Sequence, residues 1–235
     1  MPQLFEGAIK NWQFTLKFIA FSIVFFLLEF AFQFYLNSTG DLHASLVRSL
    51  GLSGATFVSS ALLSSAVFRF QPKYAKYWTV RRGLGVTGFV FIFFHILAAT
   101  QFYFKWDAGM EYFSLNPLEN PIIFGAFSFL ILIPVALTST DWAMAKMGGN
   151  WKTVQRLVYV AFWAMIFHFL TIAPQQLTNP AGYILLLITF LALAGELYWF
   201  LKTAMQKNFK GTAVLIGIAI IILYILTAYL VWFRK

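Results

Sequence analysis

His43, His95 and His168 are the three imidazoles in a chain of 235 residues that contains no cysteine. Thiolate metal sites, iron–sulfur clusters, disulfides and a thiol nucleophile are thereby excluded. His95 and His168 lie within strongly apolar stretches, where a polar ring needs a partner. A lone intramembrane histidine is more often a hydrogen-bonded packing residue than a ligand, but the pair points further. His95 follows Arg81 by 14 residues and His168 follows Thr153 by 15. At 1.5 Å per residue both rings sit ~21 to 23 Å from the start of their helices. Two imidazoles at one depth on different helices are what axial coordination of a haem iron requires, one above and one below the macrocycle.

The neighbours of the two rings are small. Gly88 and Phe91 precede His95 on its face, with Gly85 near the same stripe, and Ala161 and Ala164 precede His168. Gly88 and Ala164 are candidates for packing against a flat macrocycle, although the same spacing also serves plain helix packing in lipid. Glu29 falls 16 residues into the first apolar stretch, level with the histidine pair. An intramembrane carboxylate is functional by default, so proton handling or a hydrogen bond to a ligand imidazole competes with a protonated packing role. His43 lies beside Asp41 in a polar connection, as an exposed ring without function or as part of a docking surface or quinone pocket. Glu196 is expected to snorkel toward water or Lys202. Arg81 and Arg82 read as interface anchors, with acidic cofactor groups or anionic lipid as the alternative.

The elements that position these residues follow from composition. Hydrophobic residues make up 60% of the chain, aromatics 20% and charged residues 11%, against about 25% charged in soluble proteins. The apolar excess must face lipid. Breaks at Pro, Gly and charged clusters predict an all-α polytopic transmembrane bundle of seven spans, at 13–36, 50–68, 81–104, 121–139, 153–173, 181–201 and 211–233. The whole chain, 1–235, reads as a single transmembrane domain. The second span is short and rich in Ser and Gly, which suits a helix packed among others. The segment Met1 to Trp12 is not followed by a small-residue cleavage site, so a removed signal peptide is not expected.

The net charge of +9 reads as orientation rather than nucleic-acid binding. Thirteen of the 17 basic residues fall on one side of this topology and Arg48, Lys105, Arg234 and Lys235 on the other. The positive-inside rule places the N-terminus in the cytoplasm and, with seven spans, the C-terminus outside. Phosphate-binding and zinc-protease signatures are absent, and Gly83, Gly85 and Gly88 supply a G-x-G-x-x-G pattern only within a span, without the strand it requires.

Spans three to five also carry a resemblance. Arg81-Arg82-Gly83-Leu84-Gly85, with His95 ten residues further on, resembles the start of the ferric-reductase-like transmembrane family, in particular its MsrQ/YedZ branch. Ala136-Leu137-Thr138-Ser139-Thr140, leading through Gly149 and Trp151 to Arg156, Leu157, Tyr159 and His168, resembles a second block of that branch. The match covers 53–170 as a ferric-reductase-like core, with 181–233 as two further C-terminal spans, one beyond the six-helix pattern. The resemblance implies a haem b protein of the cytoplasmic (inner) membrane, with His95 and His168 as outer ligands, a periplasmic oxidoreductase as partner and flavin on the cytoplasmic side. At Gln155 the family commonly carries a histidine for an inner haem, so one haem is expected here.

The resulting expectation is an electron-transfer protein that takes electrons from a membrane quinol or a cytoplasmic flavoprotein and passes them to an acceptor at the outer face. A self-contained ferric or quinone reductase and a haem-free membrane scaffold or carrier are the alternatives.

Overall fold

The structure, a computed structural model, describes residues 2–37, 40–106 and 119–206. Among them the secondary structure is helical: α1 (Pro2–Phe32, continued by a wide π-type turn Gln33–Asn37), α2 (Leu42–Phe70), α3 (Trp78–Phe102), α4 (Ile122–Leu137), α5 (Asp141–Met147), α6 (Asn150–Arg156), α7 (Val158–Ile172) and α8 (Pro180–Gln206). Five stretches are long and apolar enough to cross a bilayer: Thr15–Asn37, Leu42–Phe70, Pro72–Phe102, Asn150–Ile172 and Pro180–Thr203. α4 is a sixth when joined to α5, from which it is bent by 86°. The chain is therefore an all-α multi-pass membrane protein, and six of the seven expected spans coincide with described helices. The seventh, 211–233, lies outside the described residues.

The second span is not short. α2 runs for 29 residues and is the central helix, with α1, α3, α7 and α8 packed around it. It begins earlier than hydropathy suggests because Asp41 caps it, accepting from the backbone N–H of His43 at 2.9 Å and of Ala44 at 3.1 Å. Four of its serines do not need water. Ser45, Ser59, Ser64 and Ser65 each donate to the carbonyl four residues back, which hides their polarity inside the helix. Small residues then allow α3 to approach. A Cβ on Gly88 would meet Val58 Cγ2 at 2.7 Å and the Gly54 carbonyl at 2.9 Å, so the two backbones are in contact as in small-residue membrane interfaces.

α1 is the peripheral helix. Leu16, Ile19, Val24, Leu27 and Leu28 are exposed along it, as a lipid-facing surface requires. Its inner edge holds on by aromatic contacts: Phe18, Phe21 and Phe25 meet Phe57 edge-on, with ring centroids 6.4, 6.2 and 5.3 Å away. Each such pair contributes roughly 0.5–1.5 kcal/mol beyond its buried area.

α4 and α7 form the second helix pair, joined by Ser128 Oγ donating to the Ala161 carbonyl at 2.7 Å. The carbonyls at the end of α4 are capped from α6. Trp151 Nε1 donates to the Thr138 carbonyl at 2.8 Å, and Gln155 Nε2 to the Val135 carbonyl at 2.9 Å. Such capping satisfies groups that a helix end leaves open.

Candidate functional site

α3 and α7 each present one imidazole to the helix beside it, in the same way. His95 Nδ1 lies 2.8 Å from the carbonyl oxygen of Val47 on α2, and His168 Nδ1 lies 3.1 Å from that of Pro121 at the start of α4. A carbonyl can only accept, so each Nδ1 carries the hydrogen and each Nε2 keeps its lone pair. Four residues after each acceptor stands a glycine. A Cβ on Gly51 would fall 3.0 Å from His95 Nδ1 and 3.1 Å from Cε1; on Gly125 it would fall 3.0 Å from His168 Nδ1 and 2.9 Å from Cε1. Missing side chains at these two positions let the rings lie against the neighbouring backbone and reach its carbonyl.

The two cradles are near copies. Histidine and acceptor are 48 residues apart in the first and 47 in the second, and each uses a carbonyl with a glycine one helical turn later. Both rings are half-buried. Two neutral imidazoles, each with its tautomer set by a backbone carbonyl and its Nε2 lone pair available, are donors that could hold a metal macrocycle. The residues present therefore fit such a group.

The other sequence candidates fall around this pair. Gly88 sits in the α2–α3 seam against Gly54 and Val58, and Ala164 is wholly buried on α7. His43 is exposed and stacks on Phe102, with centroids 4.2 Å apart and planes at 25°. Glu29 accepts from Gln33 Nε2 at 2.8 Å rather than from an imidazole. Gln33 belongs to a cluster that ties the end of α1 to the turn Pro174–Thr178. Asn37 Nδ2 donates to Gln33 Oε1 at 2.7 Å and to Gln176 Oε1 at 2.9 Å, and Asn179 Nδ2 donates to Asn37 Oδ1 at 3.0 Å.

The opposite end of the bundle differs from expectation. Glu196 is not turned toward water or Lys202; it pairs with Arg69 of α2, whose other nitrogen reaches the Tyr159 hydroxyl at 3.5 Å. An acid on α8 facing a guanidinium across a low-dielectric gap gains more from pairing than from snorkelling. Arg81 is half-buried and donates through Nε to Ser65 Oγ. Arg82 pairs with exposed Asp141 and lies over the Trp78 ring, 5.1 Å from its centroid. That guanidinium holds the Asp141 carboxyl below the usual carboxylate range.

Sequence reasoning identified both imidazoles but not Val47, Gly51, Pro121 or Gly125. The only signal for the glycines was their occurrence within apolar helices, where glycine marks close approach.

The described helices form a multi-pass membrane bundle in which two imidazoles, each bonded through Nδ1 to a backbone carbonyl, stand on separate membrane-spanning helices. A family model described as "Ferric reductase like transmembrane component" matches residues 50–166. A protein-methionine-sulfoxide reductase heme-binding subunit MsrQ from Agrobacterium fabrum is 30% identical over 166 residues, covering 67% of this chain and 74% of the relative. Proteins of the same name from Brucella ovis and Brucella canis are 29% identical over 157 residues, covering 64% of this chain and 69% of each relative. The chain belongs to the ferric reductase-like transmembrane family, within which these relatives are MsrQ proteins.

Proposed function

We propose that this protein is a membrane electron-transfer subunit that holds one haem b between His95 and His168, and delivers electrons to an oxidoreductase at the outer face of the inner membrane. The observation that carries the reading is the matched pair of cradles, which leaves one Nε2 lone pair on each ring and fixes both tautomers. The names of the relatives, heme-binding subunits of a methionine-sulfoxide reductase, support both the cofactor and the subunit role. When bound, the haem supplies reversible one-electron chemistry. The protein's part is orientation and insulation. Val47 and Pro121 raise the basicity of the imidazoles by accepting their Nδ1 hydrogens, while Ile92, Ala161 and Ala164 contribute buried apolar surroundings.

Orientation follows from the basic residues: the Arg81 end is cytoplasmic and the histidine end faces outward. The donor in this reading is a membrane quinol. Gln155, at the position where an inner ligand is common in the family, is engaged instead with Val135, Thr138 and Ser139. Without an inner relay, a donor that diffuses within the bilayer is more economical than a soluble flavoprotein. Absorption spectra of the purified protein, oxidised and reduced, test the reading. A low-spin haem b signature at one haem per chain is expected, lost in His95→Ala and in His168→Ala, retained in His43→Ala, and reducible by a quinol analogue. A colourless folded preparation overturns the haem assignment, and a haem that no quinol reduces overturns the donor.

A further inference from the structure

A cavity of about 60 Å³ opens at the Arg81 end of the bundle, between α2, α3, α4 and α6. Its floor is apolar, built from Val58, Leu62, Phe89 and Leu132, and Trp78 and Trp151 stand in its wall. The lining includes no histidine, and the Gln155 amide nitrogen is spent on α4, so nothing here supplies an axial ligand for a second haem.

The charges at this end are unevenly matched. Arg69 has Glu196 and Arg82 has Asp141. Arg81, half-buried and facing the cavity, has Ser65 Oγ as its hydrogen-bond acceptor and no carboxylate within ion-pair distance among the described residues. A guanidinium has five N–H donors, and the hydroxyl of Ser65 neutralises no charge. A cation withdrawn from water without a counter-charge is costly, so the cavity is electrostatically incomplete. What completes it must be anionic at the Arg81 end and apolar where it passes Phe89.

We propose that this cavity binds the headgroup of an anionic phosphoester amphiphile, its phosphate oxygens on the free N–H groups of Arg81 and its acyl chain leaving past half-buried Phe89 toward the bilayer. Basic pockets between membrane helices recognise anionic headgroups by this combination of charge and apolar depth. A phospholipid of the adjacent leaflet is the source that satisfies both requirements. A free phosphate satisfies only the first. The site stands independently of the haem reading, because its lining includes neither His95 nor His168.

The experiment uses the full-length purified protein, delipidated in an uncharged detergent and titrated with phosphatidylglycerol, phosphatidylcholine or inorganic phosphate, with tryptophan fluorescence and native mass spectrometry as readouts. Phosphatidylglycerol is expected to bind about tenfold more tightly than phosphatidylcholine, with a similar loss in Arg81→Gln and partial retention in Arg81→Lys. Gly85→Leu keeps all three arginines and fills the cavity from α3, where a Cβ meets nothing closer than Ala61 at 3.8 Å. It should abolish binding, and it carries the test if Arg81→Gln fails to fold. Equal binding of the two lipids, wild-type binding in folded Arg81→Gln or Gly85→Leu, or inorganic phosphate binding as tightly as the lipid overturns the proposal. So does a second haem per chain lost in Gly85→Leu.

Discussion

Gly125 lies directly against the His168 ring, so that a Cβ added to it would come within 2.9 Å of Cε1. The ring is thereby pressed onto the backbone of α4 and held there by the Pro121 carbonyl at 3.1 Å. Gly51 stands in the same relation to His95, with slightly more room, at 3.1 Å from Cε1. Each imidazole is thus aimed by the helix opposite its own. Substitution of the glycine should change ligand orientation without altering any ligand.

Gly125→Ala is expected to push the His168 ring off its carbonyl and to lower haem retention and shift the low-spin band. Gly51→Ala, with the milder overlap, should have the smaller effect. Overpacking of this kind costs about 1–3 kcal/mol. Haem content per chain and the reduced-minus-oxidised spectrum are the measurements, and wild-type spectra in both variants would show that the glycines do not set ring position.

Removing Glu196 leaves the Arg69 guanidinium facing Tyr159 without a counter-charge. Arg69 is 36% exposed and Glu196 15%, so the cost lies below that of a fully buried pair, at about 1–3 kcal/mol for Glu196→Ala. Glu196→Gln should lose less, since the amide oxygen still accepts. Thermal unfolding in detergent gives the order, and equal stability of Glu196→Ala and the parent protein would contradict it.

The Arg82–Asp141 contact ties α5 to the start of α3, and it titrates. Because Arg82 depresses the Asp141 carboxyl, the contact contributes stability above the ordinary carboxylate range and loses it as pH falls through the lowered value. Hydrogen exchange of α5 should accelerate only at acid pH in the parent protein. In Asp141→Asn, exchange should be raised already at neutral pH and unchanged on acidification.

Gln33 is fully buried and bonds both Glu29 and Gln176. Gln33→Leu strands the partner amides and is expected to cost about 1–3 kcal/mol, with the haem spectrum unchanged if the cluster only ties α1 to the turn before α8. A spectral shift in this variant would instead connect Glu29 to the ligand pair.

Much of the architecture was legible from periodicity and charge. Apolar runs bounded by Pro, Gly and basic clusters located six helices, since a bilayer imposes a minimum length on each. α2 was underestimated because hydropathy counts serine as polar, while Ser45, Ser59, Ser64 and Ser65 hide their hydroxyls in their own helix. Glu196 was misassigned because its partner, Arg69, is 127 residues away, beyond the reach of any local pattern.

The amino-acid sequence by itself determined that the chain crosses a membrane as helices, and it supplied the expectation that His95 and His168 lie at one depth. Both follow from residue counting along a helix of constant rise. Tertiary structure alone decided which helix each imidazole faces, which carbonyl sets its tautomer, and that Gly51 and Gly125 make the room. A helical period specifies the face on which a side chain stands, but its partner depends on how separate helices pack, here across 48 and 47 residues of chain.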